Sequence, residues 1–421
     1  MYVIGHSVSL VYLLAQCATF VLFGLLVLDI YSLYREKDGL SAERIHDAKL
    51  SNGDDNEIKI TMQSNYSADL KAEVVDEIPH QFQRRDISWK IDLPSGAQKS
   101  LIYKLRPLKR GEYNFGSINV FLSTQVGLIQ RRYSFASDVT VPVYPSIIQM
   151  KKFEFSAFSN RLTELGIKKI RRVGQTTEFD QIKEYVRGDD PRNINWKASA
   201  KSTDLMINHY EDERSQPVYC LVDKGRLMRS PFEGLTLLDY AVNSALVMSN
   251  VAIGKQDKAG LITFSDKMSS VVKADRRSGQ LQRILETLYN QKTYYKESNF
   301  ELLATYVRRT LKSRSLLLLY TNFDNLSSFK RQLPYLRMLG KKHLLVVVFF
   351  ENTELDELIQ NEPKDSEGIY TQVIAEQIAL EKQLIVKELK KNGIFAILTP
   401  PADLNVNTIN KYLELKARGM V

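Results

Sequence analysis

The chain has 421 residues, 44% hydrophobic and 25% charged, which is too long for one ordinary core and too apolar for a disordered polymer. Its two cysteines, Cys17 and Cys220, exclude a disulfide framework and a thiolate zinc site. The formal charge of +9 comes from basic residues spread along the chain, with no nucleic-acid module pattern. The charge therefore points to solubility and an anionic membrane face, and no nucleic-acid partner is expected.

The first element is an uncharged run, Val8 to Leu28, of a length that spans a bilayer as one helix. Tyr31 and Tyr34 follow at interfacial depth. No Lys or Arg precedes Arg35, so the basic n-region of a cleaved signal is missing. Arg35, Lys37, Arg44 and Lys49 all come after the run. The positive-inside rule then predicts a single-pass inner-membrane anchor (residues 1–34) with the bulk of the chain cytoplasmic.

Residues 35–148 carry short alternating segments, such as "EIKITMQ" and "SINVFLS", punctuated by Gly111 and Gly116. The pattern predicts a β-sandwich without a catalytic cluster, hence a spacer or docking domain. Residues 149–215 form a connecting region with a helix-like "FEFSAFSNRLTEL".

From residue 216 to 421 strands alternate with helices. "PVYCLVD", "KAGLITF", "SLLLLYT", "HLLVVVFF" and "GIFAILT" read as strands, and the runs 235–251, 279–289, 300–311, 327–339, 370–391 and 403–416 as helices. Continuous apolar strands between helices predict a doubly wound parallel sheet. Its ligand side lies beyond the carboxyl ends, at Asp223, Phe264, Thr321 and Phe350.

The most charged stretch is "EYVRGDDPRNINWKASAK", residues 184–201. "GDDPR" has turn chemistry. Its carboxylates, Glu184, Asp189 and Asp190, are matched to Arg187 and Arg192 as directional ion pairs, and Trp196 to an apolar anchor. Three readings compete: a structural staple, a partner-recognition motif, and a hydrolytic carboxylate cluster of Asp189, Asp190 and Asp223. No nucleophile elbow, Walker loop or metal-spaced histidine set accompanies it.

This stretch resembles the signature of domain-of-unknown-function family 58, carried by Glu178, Phe179, Glu184, Tyr185, Gly188, Asp189, Pro191, Arg192, Ile194 and Trp196. Asn195 stands where the family often has Asp, and Lys201 where Arg is usual. The resemblance implies a von Willebrand factor A-like α/β domain, with no enzymatic cofactor, that works with a MoxR-type AAA+ ATPase and other envelope proteins. Members often have two N-terminal membrane helices, and one is visible here. Such domains place Asp-x-Ser-x-Ser after the first strand to hold a divalent cation. Here Asp223 is followed by Gly225 and Leu227, and Asn322 takes the place of the later aspartate. With Gly225, Leu227 and Asn322 supplying no carboxylate, the site is degenerate and no metal is expected. The expected role is a membrane-anchored cytoplasmic adaptor or scaffold, with a hydrolase as the alternative.

Overall fold

A computed structural model describes residues 9–84, 87–136, 138–158, 177–186, 191, 194–201, 204–212, 216–293, 295–360 and 365–421. The chain divides into two compact units, Met1–Tyr144 and Pro145–Val421.

The first unit begins with helix α1 (Ser9–Tyr34), 26 residues and therefore about 39 Å long, apolar enough to cross a membrane. It runs past the uncharged segment to include Asp29, whose carboxylate is buried. Asp29 accepts from the Thr124 hydroxyl and from the backbone N–H groups of Leu128 and Ile129, at 3.0 Å each. Arg131 donates to the Leu33 carbonyl in the last turn, at 2.5 Å, where a helix end leaves such groups open, and to the Glu36 carbonyl just past the helix, at 2.7 Å.

Strands β1 (Leu40–Ile45), β2 (Leu50–Ser51), β3 (Asn56–Ser64), β4 (Leu70–Asp76), β5 (Ser88–Leu93), β6 (Gln98–Leu105), β7 (Gly111–Phe115), β8 (Ile118–Ser123), β9 (Gln130–Phe135) and β10 (Val139–Tyr144) follow. They form three sheets, ordered β1-β3-β6, β2-β10-β7 and β5-β4-β8-β9. Alternation puts Ile58, Ile60 and Met62 of β3, and Ala72 and Val74 of β4, into one shared core with Val120, Leu122 and Val141. Inside it Asp76 is held by Arg44, Nε to Oδ2 at 3.2 Å, and by the Tyr103 hydroxyl.

The second unit opens with α2 (Ile147–Phe158). Strands β11 (Thr177–Glu184) and β12 (Met206–Asp212) then pair as an antiparallel hairpin, with the short helix α3 (Trp196–Ser199) between them. The main sheet takes β13 (Pro217–Asp223), β16 (Lys258–Phe264), β17 (Met268–Asp275), β18 (Leu316–Tyr320), β19 (Leu344–Phe350) and β20 (Phe395–Thr399), in the order β17-β16-β13-β18-β19-β20. Two-residue strands β14 (Pro231–Phe232) and β15 (Leu235–Thr236) lie outside it. All pairings in the main sheet are parallel except β16 with β17. The expected parallel sheet is therefore mixed. Its antiparallel edge strand alternates exposed with half-buried residues, as a one-sided edge does.

Helices cover both faces. On one, α4 (Leu237–Gly254) starts from a Thr236–Asp239 capping box and buries nearly its whole length. It passes the same length and hydropathy test as α1, yet it is a core helix. With it lie α5 (Gln280–Tyr289) and the last helix. On the other face α6 (Phe300–Thr310), α7 (Leu326–Lys342) and, after α8 (Thr353–Gln360), α9 (Ser366–Lys391) pack on Tyr219, Leu221, Leu317, Leu319, Val347 and Phe349. The chain closes with α10 (Leu404–Ala417), where Tyr412 and Lys416 both reach the buried Asp257.

Candidate functional site

The carboxyl ends of β13 and β18 bring Asp223 and Thr321 side by side, because the two strands are parallel neighbours in register. Asp223 is buried at 2% exposure. Its partners are neutral: the Thr321 hydroxyl at 2.6 Å, the Ser298 hydroxyl from the loop before α6, and the Gly225 N–H at 2.8 Å. Burial raises its carboxyl above the usual carboxylate range, and the three donors only partly offset this. Gly225 is required here: a Cβ would meet the Ser298 hydroxyl at 2.0 Å.

Around Asp223 a small cleft of about 70 Å³ is lined by Leu227, Phe323, Asp324, Arg226 and Arg331 among others. Arg226 reaches Glu297 at 3.3 Å and Asp324 at 3.9 Å, both exposed pairs. From α9, the Lys382 ammonium donates to the Asn322 side-chain oxygen at 2.5 Å. Burial lowers its pKa to about 8, against the opposing pull of Asp324.

A divalent cation fits this donor set poorly. Hard cations take six or more oxygens, usually with several carboxylates. Asp223 offers one carboxylate, already engaged by three donors, and Gly225 and Leu227 offer no side-chain oxygen. The Asn322 oxygen is taken by an ammonium. Among the described residues no cluster of three His, Cys, Asp or Glu forms.

The structure brings Asp223, Leu227 and Asn322 into one cleft, with Gly225 in direct contact with Asp223. Thr321 was expected on the ligand side as a strand end, while Ser298 and Lys382 were not anticipated as members. The signature residues sit elsewhere, on the hairpin. Glu178, Glu184 and Tyr185 lie on or just after β11, and Pro191 and Trp196 precede or open α3. Gly188, Asp189, Asp190 and Arg192, and with them the expected ion pairs, lie outside the described residues.

The expected anchoring by Trp196 is not what is seen: its side chain is 70% exposed. A one-turn helix has little surface to bury, and neighbouring groups tie it down instead. Asn195 caps it by accepting from the Ala198 N–H at 3.0 Å, and donates to the Asn208 side chain on β12 at 2.8 Å. Ser199 accepts from the Met206 N–H at 2.8 Å, and Ile194 bridges to Ile207. Among the described residues, α3 is tied to β12 by neutral hydrogen bonds.

Residues 181–365 match the family model of DUF58, described as a protein of unknown function. The match runs from within β11 through β19 to the segment just before α9, and leaves out β20 and α10. A relative in Bacillus subtilis (strain 168), the uncharacterized protein YeaD, is 26% identical over 157 residues. That alignment spans 37% of this chain and 38% of the relative, so the chain matches well under half of that protein's length. Among solved structures, PapD-like domain 7 of human CEP192 is 11% identical over 25% of this chain and 83% of its own, at a TM-score of 0.20. A CARDB domain from Pyrococcus furiosus is 15% identical over 25% of this chain and 91% of its own, at 0.18. Likenesses this distant carry no argument.

Proposed function

We propose that the protein is a membrane-anchored, cytoplasmic adaptor whose α/β unit is von Willebrand factor A-like and binds other proteins without a metal. The observation that carries this is Asp223: a buried carboxylate at the carboxyl end of the first sheet strand, held by three neutral donors and rimmed by Arg226, Asp324 and Arg331. A cleft of about 70 Å³ is far below the roughly 300–1,000 Å³ of a small-molecule site. It suits one side chain of a docking protein. The β13-β18 crossing with the antiparallel β17 edge supports the von Willebrand A-like reading. The resemblance in the signature supports a MoxR-type AAA+ ATPase as partner. The hydrolytic alternative would need Asp223 to give up its present donors to a substrate.

The test is binding of a purified MoxR-type ATPase from the same source to the detergent-solubilised full chain. Arg331→Glu with Asp324→Lys reverses the rim charges, and we expect at least tenfold weaker binding with an unchanged melting curve. Undiminished binding removes the cleft from the interface, and ester or phosphoester turnover lost in Asp223→Asn favours the hydrolase. For topology, a reporter enzyme active only outside the cytoplasm, fused after Val421, should stay silent. Activity there sinks the cytoplasmic placement.

A further inference from the structure

The strand β20 ends the main sheet, and among the described residues no strand pairs with its outer side. The Thr399 carbonyl accepts from the Glu351 N–H at 3.0 Å, just past the end of β19, so Thr399 faces inward. Backbone groups alternate along a strand. Phe395 and Ile397 therefore also face β19, while Ala396 and Leu398 turn their N–H and C=O groups to the open side. No backbone partner meets those four groups among the described residues. Such an edge is a template for another strand.

The edge is not capped or blunted in the usual way. Proline comes only after it, at Pro400 and Pro401, and no charged side chain interrupts Phe395–Thr399. Instead α9 and α10 rise on either side as walls. Lys387 and Lys390 line one, and Asn407 and Lys411 the other, of a groove of about 850 Å³ with Ala396 and Leu398 on its floor. Three ammonium groups face one carboxylate, Glu414, and that is already held by Lys411 at 3.1 Å and Arg418 at 2.7 Å.

We infer that this groove takes an extended acidic segment of a partner protein as an added strand beside β20. Main-chain bonds to Ala396 and Leu398 would supply affinity, and the lysines would select acidic side chains. At about 3.3 Å per residue, β20 offers a ladder of roughly 16 Å. A second copy of the same edge is the wrong occupant, because a two-fold pairing would set Lys387, Lys390 and Lys411 against their own images. The groove shares no residue with the Asp223 cleft, so it stands whether or not the cleft binds.

The experiment uses the full chain in detergent micelles and a fluorescein-labelled seven-residue peptide of alternating Glu and Val. Its Lys/Val counterpart is the control. Anisotropy gives affinity, and hydrogen exchange gives location. The acidic peptide should bind in preference to the basic one. Binding should protect the amides of residues 395–399, most at Ala396 and Leu398. Ala396→Pro removes an outward N–H without touching the β19 ladder and should weaken binding at least tenfold. Lys387→Glu with Lys390→Glu, both on an exposed helix wall, should do the same if the strand variant folds poorly. Equal binding of both peptides, or no new protection at residues 395–399, overturns the proposal. So does self-association of the wild type that Ala396→Pro abolishes, since that assigns the edge to a second copy.

Discussion

Asp76 and Asp223 are both buried carboxylates, one in each unit, and they are kept there by opposite means. Asp76 has a guanidinium: Arg44 meets it through two nitrogens, donates onward to the Gly116 carbonyl at 2.9 Å, and lies over the Phe115 ring. The cost of removing the charge from water is met by a fixed counter-charge inside the sandwich core. Asp223 has hydroxyls and one N–H, and the Lys382 ammonium serves Asn322 instead. A carboxylate whose charge is uncompensated at the mouth of a cleft is tuned by what docks there. A carboxylate locked to arginine is tuned by nothing. Asp76 is architecture, and Asp223 is a candidate for recognition.

The largest test of that contrast is Arg44→Ala. It strands the Asp76 charge among Ile60, Val74 and Phe115, and should cost roughly 3–5 kcal/mol in chemical denaturation. If Arg44→Ala unfolds at the wild-type denaturant concentration, the pair is not what holds Asp76.

The next test concerns the lysine of the cleft. The folded-state pKa of Lys382 is lowered by burial to about 8, from 10.5. Between those two values the unfolded chain binds the proton more often than the folded one, so stability rises with pH across that window. Below it both states are protonated and the burial penalty is fully present. Lys382→Met should therefore stabilise the protein at pH 7 by about 3 kcal/mol, less whatever the Asn322 contact contributes, and the advantage should vanish by about pH 11. A variant that is less stable at pH 7 would mean that the ammonium, facing Asn322 and Asp324, is a net stabiliser.

Removing charge from Asp223 sharpens the comparison directly. Burial raises its pKa, so its contribution to stability is fullest below the unfolded value and declines as pH climbs through the folded one. Asp223→Asn keeps an acceptor for Ser298 or Thr321 and discards the charge. It should change stability by no more than about 1 kcal/mol at pH 7, while Asp76→Asn, which takes the carboxylate charge away from the buried Arg44, loses several times that. Matching losses in the two variants would erase the distinction between them.

The same contrast explains what was legible beforehand. β13, β18 and β19 are continuous apolar runs, "VYCLV", "LLLLY" and "LLVVVFF", and a strand buried on both faces has no other signature. β17 alternates too weakly to read, since one side is solvent. The Asp223 position was visible as a strand-end acid. Thr321 was visible as the end of another strand, but its bond to Asp223, 98 residues away, was not, and Ser298, 75 residues away, was not visible at all, because a lone hydroxyl carries no pattern. Lys382 reads as one more solvated charge in a Lys- and Glu-rich helix, and only the fold buries it. Trp196 misled for the converse reason: size suggests burial, but a four-residue helix gives it nothing to pack on.

The smallest expected effect is that of a divalent metal. A competent site, at 100 times its dissociation constant, would stabilise the fold by about 2.7 kcal/mol. In a unit of this size each kcal/mol moves the melting point by roughly 2–4 °C, so several degrees would be plain in excess MgCl₂. Binding at Asp223 would have to pull its oxygens from Ser298, Thr321 and Gly225, and to place a cation near the Lys382 ammonium. Gly225 and Leu227 return no oxygen for that loss. The expected shift therefore equals that of a salt control at matched ionic strength, for Mg²⁺ and Mn²⁺ alike, and Asp223→Ala leaves it unchanged. A metal-specific rise that Asp223→Ala abolishes would mean that Asp324 and the two hydroxyls reassemble around a cation. The neutral-donor cleft would then be the resting state of a metal-dependent binding site.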